Sequence, residues 1–546
     1  MCRTSTYTAT HFDRPATART AEGNGYGFTH DTELRLTKVT NAQGLEWHYT
    51  YDAAGRLVSE TDFDGRTLSY QHDALGRLLR RTNAAGQSLT FERDVLGRVT
   101  RLHHDDGSVS AFSRGETGHV SQITNAHARI DLERDAAGRV VAETVNGRTL
   151  AFAYDALGRR THRRTPSGAS SDLAYAWEGL ATYTAGEHTF RFDRDALGRE
   201  TARTLDDTLT LLQNWDEVGR LVHQSLGTPH ADVLERAFAY QADGSPLTVD
   251  DSHTGRRNTV DAASRITAVH AHGWSEQYAY STAGDQTHTS LPSQAPGQDN
   301  TGARAYDGTR ITHAGRTRYH YDAQGRITLR QTTTLSGRTL TWRFTWDAED
   351  RLTHVHAPDG SQWRYLYDAL GRRIAKQRLD ADSRSVEATS YCWDGAQLAE
   401  QYTDGTTLVW DYAGLRPLAQ REFKTDSAQE EIDRRFFAIV TDLSAVPASL
   451  STATGRWRAR STAWGATQWN RDNAGAGAGD AERFECSLDF AVLAAQAVRR
   501  EQGRVDPALE PGEVHIAQVD ELRDQPLHGQ CLAGGLGRGD GAGPFG

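Results

Sequence analysis

Apolar and polar residues alternate through residues 44–61. Leu45, Trp47, Tyr49 and Tyr51 fall on one face, and Glu46, His48 and Thr50 on the other. A period of two marks a half-buried strand. The alternation returns at Leu68, Tyr70 and His72, at Leu89 and Phe91, and at Leu150, Phe152 and Tyr154. Aromatic and β-branched side chains suit such a pleated surface. Between the alternating runs the sequence reads D-x-x-G. Asp favours the first position of a type I turn, where its carboxylate accepts downstream backbone N–H groups, and Gly suits a left-handed fourth position. Ala53-Ala54, Ala74-Leu75 and Val95-Leu96 then sit at turn tips. A looser turn follows 10 or 11 residues on, at Asp62–Gly65, Asn83–Gly86, Asp105–Gly107 and Asn146-Gly147. Each period is therefore two strands of roughly six to eight residues, about 20–25 Å long, joined by two turns. No helical period competes, so the pattern predicts an all-β, antiparallel chain.

The turn belongs to a longer phrase, an aromatic or polar residue followed by D-x-x-G-R and, most often, an aliphatic. Nine near-intact copies begin at Tyr51, His72, Arg93, Arg134, Tyr154, Arg194, Trp215, Tyr321 and Tyr367, spaced near 21 residues where they are consecutive. A fixed period of this size means an array of one stacked supersecondary unit. Worn copies lie at Arg114–Val120, Tyr240–Leu247, Val260–Ile266 and Tyr280–Asp285, and Asp350 stands where Gly is expected in Trp346–Leu352. They are expected to pair as strands regardless, because pairing uses backbone groups. The Arg after each Gly is expected to pair with the turn Asp or to lie along the aromatic before it.

Composition narrows the picture. The 546 residues carry 61 Lys and Arg against 72 Asp and Glu, a net charge of −11, with no basic stripe. That argues against nucleic acid as a partner. A mean hydropathy of −0.65 suits a sheet with much wetted surface. Cys2, Cys392, Cys486 and Cys531 match no metal-ligand spacing. The first 20 residues hold no apolar stretch of signal-peptide length, and no stretch approaches a membrane span.

These motifs resemble the RHS/YD-repeat family over about residues 7–437. The segment Phe436–Asp472 is similar to the start of the RHS-associated core domain. There Thr441-Asp442-Leu443 and Pro447 match a D-L-G-x-P region, with Ala445 near the usual Gly, and Trp457–Arg460 and Trp464-Gly465 match the later part. Ser461-Thr462 stand where the family often has Tyr-Asp. The resemblance implies an antiparallel strip winding into part of a hollow β shell. In family members that act as polymorphic toxins or toxin-complex subunits, the shell encloses a C-terminal effector. An aspartate-dependent self-cleavage at a D-P-x-G motif frees that effector.

The end of the chain departs from that pattern. From Cys486 to Gly546 there is no Tyr or Trp, against 31 before it, and Asp506-Pro507 is followed by Ala-Leu. The expected organisation is a repeat array over residues 1–435, the start of a core domain over 436–484 and an unpatterned tail over 485–546. Within that tail, Leu488–Val498 reads as a short apolar helix, while seven glycines in Cys531–Gly546 read as disorder. A frameshift, a truncation or a variable segment would each produce it; a truncated or frameshifted copy is the favoured reading. The chain is also expected to begin inside the repeats, since His11–Thr20 looks like a worn copy.

No residue is singled out as catalytic, cofactor-binding or metal-binding, and no cofactor is expected. A catalytic Asp–Arg pair is needed once, whereas these recur with the period. His270 with His272, and His354 with His356, are two apart and able to share a strand face, but no third ligand is visible. His103 and His104 should point to opposite faces. No nucleophile elbow, P-loop or dinucleotide fingerprint is present. The leading expectation is a non-catalytic shell from a secreted or surface-delivered bacterial toxin system, its partner an enclosed effector segment or a secretion component. The alternatives are an adhesive protein offering aromatic rows to surface glycans, and a relic with no function of its own. Proteolysis tests the boundary: protease should trim the last 60 or so residues readily and leave a β-rich remainder. A tail protected by the folded array would overturn that view.

Overall fold

The computed structural model describes residues 6–472 except 20–24, 178, 243, 245, 252–254, 294, 296, 427–430, 442–446, 452–455 and 462–466, with side chains described up to Thr441. The chain divides into compact units Met1–Gly503 and Arg504–Gly546, and every described residue belongs to the first. The expected short helix and glycine-rich tail lie outside the described residues. The described chain forms 44 strands and one 3-10 turn at Gln298–Asn300. Each strand pairs antiparallel with the next, from Thr6–Ala9 through to Thr467–Asp472, so the fold is one long meander.

Each D-x-x-G turn closes as its sequence dictates. At Asp52–Gly55 the Gly55 N–H donates to the Asp52 carbonyl at 2.9 Å, and the Asp52 N–H donates to the Arg56 carbonyl at 2.9 Å. Asp52 Oδ1 accepts the N–H groups of Ala54 and Arg56 at 2.9 and 3.0 Å. Gly55 has φ +80°, and the strand register slips by one residue between Thr50 and Tyr51, a bulged hairpin closure. Worn copies that lack the Gly still close, at a conformational cost. Ser264 and Asp350 hold φ near +60°, as does Leu34 in a copy at Asp31–Arg35 that its sequence hides.

The arginine of the phrase does more than pair with its own turn. Arg139 Nε donates to Asp135 Oδ2 at 2.7 Å, while Nη1 donates to the Asp155 carbonyl of the next D-x-x-G turn at 3.0 Å. Its guanidinium lies 5.0 Å from the centre of the Tyr154 ring. Tyr154 in turn donates its hydroxyl to the Val140 carbonyl at 2.9 Å, just behind Arg139. Arg199 with Trp215, Arg265 with Tyr280 and Arg351 with Tyr367 repeat the arrangement. The aromatic met is therefore usually that of the following copy, not of its own, and the phrase links each repeat to the next.

A single sheet buries little, and most apolar side chains in the first strands are only half covered, as in Glu46–Tyr51. Fuller burial comes where the ribbon passes itself. Gln43 bonds Asp285, Asp64 bonds Thr309, Ala84 bonds Gln324 and Asn125 bonds Tyr367, at separations of 242, 245, 240 and 242 residues. Both partners advance together along the chain, so the ribbon winds as a spiral with a turn of about that length. Its two margins differ. One carries the D-x-x-G-R turns and the other the looser glycine turns. The glycine-turn margin of the first pass rests on the D-x-x-G-R margin of the second, where Leu370 packs on Val120, Ile123 and Ile130 and Ala348 on Leu89 and Leu102.

The turn carboxylates set a pH dependence. In Asp52, Asp73, Asp135 and Asp195 the side-chain hydrogen bond from the following arginine leads the causes that hold the carboxyl below its ordinary 3.8. A depressed folded pKa gives stability that is present above the unfolded value and lost as pH falls through the folded one. The urea midpoint should stay level through neutral pH and fall below 3.8, and Asp→Asn at these four turns should flatten that fall. An unchanged acid slope in the fourfold variant would show that other groups govern it.

Candidate functional site: the buried seam

The seam widens towards residue 440 until the two passes pack face to face. Tyr183, Phe190, Phe192 and Leu205 of the first pass meet Leu418, Ala419 and Ala438 of the second. A two-sided core of this kind is dry, so a charge placed in it must be paired. Asp411 is fully buried, and four donors converge on its Oδ1: Arg163 Nη2 at 2.8 Å, Ser171 Oγ at 2.6 Å, Tyr183 hydroxyl at 2.9 Å and Arg421 Nη2 at 3.0 Å. Arg421 Nε lies 2.9 Å from Oδ2, off the line of a hydrogen bond. Arg163 also donates to the Trp410 carbonyl at 2.8 Å, and Arg160 pairs with Asp394.

The electrostatics follow from burial. Desolvation opposes the charge on Arg163, but the neighbouring carboxylates of Asp411 and Asp394 help to outweigh it and hold the guanidinium above its usual range. Burial, with Asp411 beside it, pushes the Tyr183 hydroxyl up. The cluster is thus a fixed pair of cations around one anion, with the phenol a neutral donor. Two further carboxylates tie the passes nearby. Glu400, fully buried, accepts from Arg148 and from the Ser167 hydroxyl and N–H. Arg372 bridges Asp368 and Glu143 at 2.7 and 2.6 Å. Beside them the Cys392 thiol, packed on Leu150 and Ala399, is pushed up to about 12 by burial and by Glu400, which leaves it protonated and unreactive.

The histidines considered from sequence are scattered. His270 stands exposed on the strand Ile266–Ala271, while His272 lies beyond that strand's end, in the turn to Trp274. His354 and His356 share a face of Leu352–His356, and burial followed by Arg364 and His356 lowers His354 below its ordinary value. His103 meets Glu92 at 2.7 Å, whereas His104 turns into the seam 3.8 Å from Glu349. Among the described residues there is no group of three or more His, Cys, Asp or Glu placed to hold a metal ion. A cavity of about 170 Å³ lies between Gln213, Gln224, Arg416 and Thr441, and its Arg203 is paired with Glu200 at 2.9 Å.

The sequence reading passed over the seam cluster. Its signal was Asp411 inside the apolar strand Thr406–Ala413, a carboxylate between Trp410 and Tyr412 with no turn to serve. Chemically the cluster offers no reacting atom open to solvent. What it can do is lock one pass of the ribbon to the other.

Comparison with known proteins places this architecture. The RHS repeat model matches residues 30–67, 72–109 and 134–170, and the teneurin YD-shell model matches residues 189–385. The chain is 27% identical over 383 residues to the probable deoxyribonuclease RhsB of Dickeya dadantii, covering 64% of this chain and 25% of that protein. It is 27% identical over 369 residues to the double-stranded DNA deaminase toxin A of Burkholderia cenocepacia, covering 62% and 25%. The toxin protein Tse5 of Pseudomonas aeruginosa is 27% identical over 349 residues, covering 57% and 26%. The chain thus spans about a quarter of the length of these relatives. Among solved structures, the TcdB2–TccC3–TEV crystal structure superposes with a TM-score of 0.67 at 13% identity, over 87% of this chain and 28% of that one, which shows a shared fold.

Because Asp411 answers two buried arginines, Asp411→Ala should cost about 3–5 kcal/mol, whereas Asp52→Ala, in a solvent-screened turn pair, should cost far less. Urea unfolding of both variants measures the contrast. Equal costs would mean that the seam charges do not hold the passes together.

Proposed function

Since this chain belongs to the RHS/YD-repeat family, we propose that it is a non-catalytic shell segment of a bacterial toxin system, built to enclose a C-terminal effector and carry it to a target cell. The observation that carries the reading is the seam. A ribbon of 44 strands is closed against itself by buried carboxylate–arginine clusters, an investment in holding a wall shut that a simple adhesive array has no need of. The relatives suggest the cargo class, since a probable deoxyribonuclease, a DNA deaminase toxin and a toxin protein share this repeat region. Delivery outside the producing cell follows from that reading. No helix among the described residues is long and apolar enough to cross a membrane.

Chemistry in this chain is not part of the proposal. The repeated Asp and Arg are spent on turns and on the link to the next repeat, and the buried Asp411 and Glu400 are spent on the seam. The proposed organisation keeps residues 1–435 as the array, 436–484 as the start of the core domain and 485–546 as the segment that would follow it. The row of Tyr and Trp side chains gives the adhesive reading little to work with. The hydroxyls of Tyr51, Tyr154, Tyr280 and Tyr367 donate to backbone carbonyls of the preceding repeat.

The test is enclosure. A reporter domain fused directly after Phe484, in place of the tail, should resist protease with the array intact and become susceptible when Asp411→Ala opens the seam. Equal trimming in both, together with specific binding on a glycan array, would favour the adhesive reading instead.

A further inference from the structure

Residues 286–346 carry eight arginines against three aspartates and no glutamate, in a chain that is acidic as a whole. Two of those aspartates are taken, Asp322 by Arg326 at 2.8 Å and Asp299 by Arg316. Asp307, the third, stands exposed on the wetted face of its strand. Two of the arginines lie on the half-buried face instead. Tyr319 of Thr317–Tyr321 is opposite Arg330 of Ile327–Thr333, and Arg330 is opposite Trp342 of Thr339–Trp346. Arg304 of Gly302–Asp307 falls in the adjoining row, opposite Ala314, which is opposite Thr317. Both guanidinium groups come close enough to Tyr319 to oppose the upward push that burial gives its hydroxyl.

Neither arginine has an acid. Arg330 lies 4.0 Å from the centre of the Trp342 ring, and no N–H of Arg304 or Arg330 finds an acceptor among the described residues. Burial pulls the Arg330 guanidinium below its usual range, as it does for a cation short of an anion, with Tyr319 and Asp299 opposing. Elsewhere on the half-buried face the ribbon supplies an acceptor. Arg93, Arg134 and Arg194 each donate to the glycine carbonyl of their own turn, at 3.1, 2.8 and 3.0 Å.

A rigid rim stands beside the pair. The 3-10 turn Gln298–Asn300 is held against the Gly315 turn, where the Arg316 N–H donates to the Asp299 carbonyl at 2.7 Å and a Cβ on Gly315 would run into the Thr301 carbonyl. Asn300 Oδ1 accepts the Tyr319 hydroxyl at 3.4 Å, and the Thr301 hydroxyl is buried without a partner. Arg304, Arg316 and Arg330 thus share one carboxylate, Asp299.

We infer that this patch binds a divalent phosphate group, with Arg304 and Arg330 as its two unshared cations, Trp342 as the platform that fixes the Arg330 fork, and the Thr301 hydroxyl as a neutral donor. Two cations in excess call for two negative charges, and the planar guanidinium presents paired N–H groups that match phosphate oxygens. A carboxylate meets only half of that charge. The site depends neither on the toxin-shell reading nor on what precedes or follows this chain, since every group in it comes from residues 299–342.

Isothermal titration of the full chain with inorganic phosphate at fixed ionic strength tests it. One phosphate should bind per chain and saturate, and acetate at the same ionic strength should not compete. Arg304→Gln and Arg330→Gln should each weaken binding about tenfold, the loss of one charge-assisted contact. Arg343→Gln, on the wetted face of the strand that carries Trp342, should leave it unchanged. Glycerol phosphate run in parallel separates the two forms of the group: tighter binding than inorganic phosphate assigns a monoester, weaker binding the free ion. Without phosphate, Arg330→Gln should hold or raise the urea midpoint, because it removes an unpaired half-buried cation. A midpoint lowered by that change, with no saturable heat in the wild type, would show that Arg330 only packs on Trp342 and would overturn the proposal. Phosphate binding that neither Arg304→Gln nor Arg330→Gln weakens, or that acetate displaces, would overturn it as well.

Discussion

One arginine per repeat holds this protein together. It neutralises its own turn aspartate, hydrogen-bonds the carbonyl of the next D-x-x-G turn and lies along that turn's aromatic ring, as Arg139 does between Asp135, Asp155 and Tyr154. Each contact is modest alone, about 0–1 kcal/mol for a partly exposed ion pair and about 0.5–1 kcal/mol for an exposed cation–π contact. The effect lies in their direction, along the ribbon and across the hydrogen-bond ladder. A bare meander of short strands has only neighbouring hairpins to stiffen it and would bend freely at each turn. With the clamp, every second strand is fixed to the one two places on, and the ribbon takes up a constant curvature.

Constant curvature brings the ribbon back on itself, and the chain uses its two margins differently as a result. Because the clamp occupies one margin only, that margin offers aliphatic tips and guanidinium groups, while the other offers short glycine turns with room beside them. The passes meet margin to margin near residues 43–125 and face to face beyond residue 160. In the first region, covered tips and a few polar bonds suffice. In the second, a two-layer core forms, and charges that a single wetted sheet would hydrate must be paired inside protein, hence Arg163 and Arg421 around Asp411.

Much of the local structure was legible in the sequence because its causes are local. The strand period, the D-x-x-G closure and the Asp–Arg pair each involve residues within five positions of one another. Worn copies were harder to see. Leu34 and Ser383 occupy left-handed positions that the pattern reserves for glycine, and only the imposed geometry of the neighbouring strands keeps them there. The arginine pairs with its turn Asp, as one of the two expected arrangements has it, but the ring it lies along belongs to the following repeat, since spacing alone does not say which way a long side chain runs across a sheet.

The sequence by itself determined that this protein is a repeating antiparallel ribbon and where each of its turns lies, because alternation and turn chemistry act over a few residues. Only the tertiary structure decided that Asp411 answers Arg163 across 248 residues, and that one margin of the second pass is covered where the passes meet. Those facts depend on the pitch at which some twenty strands bring the ribbon round. That pitch is the sum of many small twists, and no single repeat carries it.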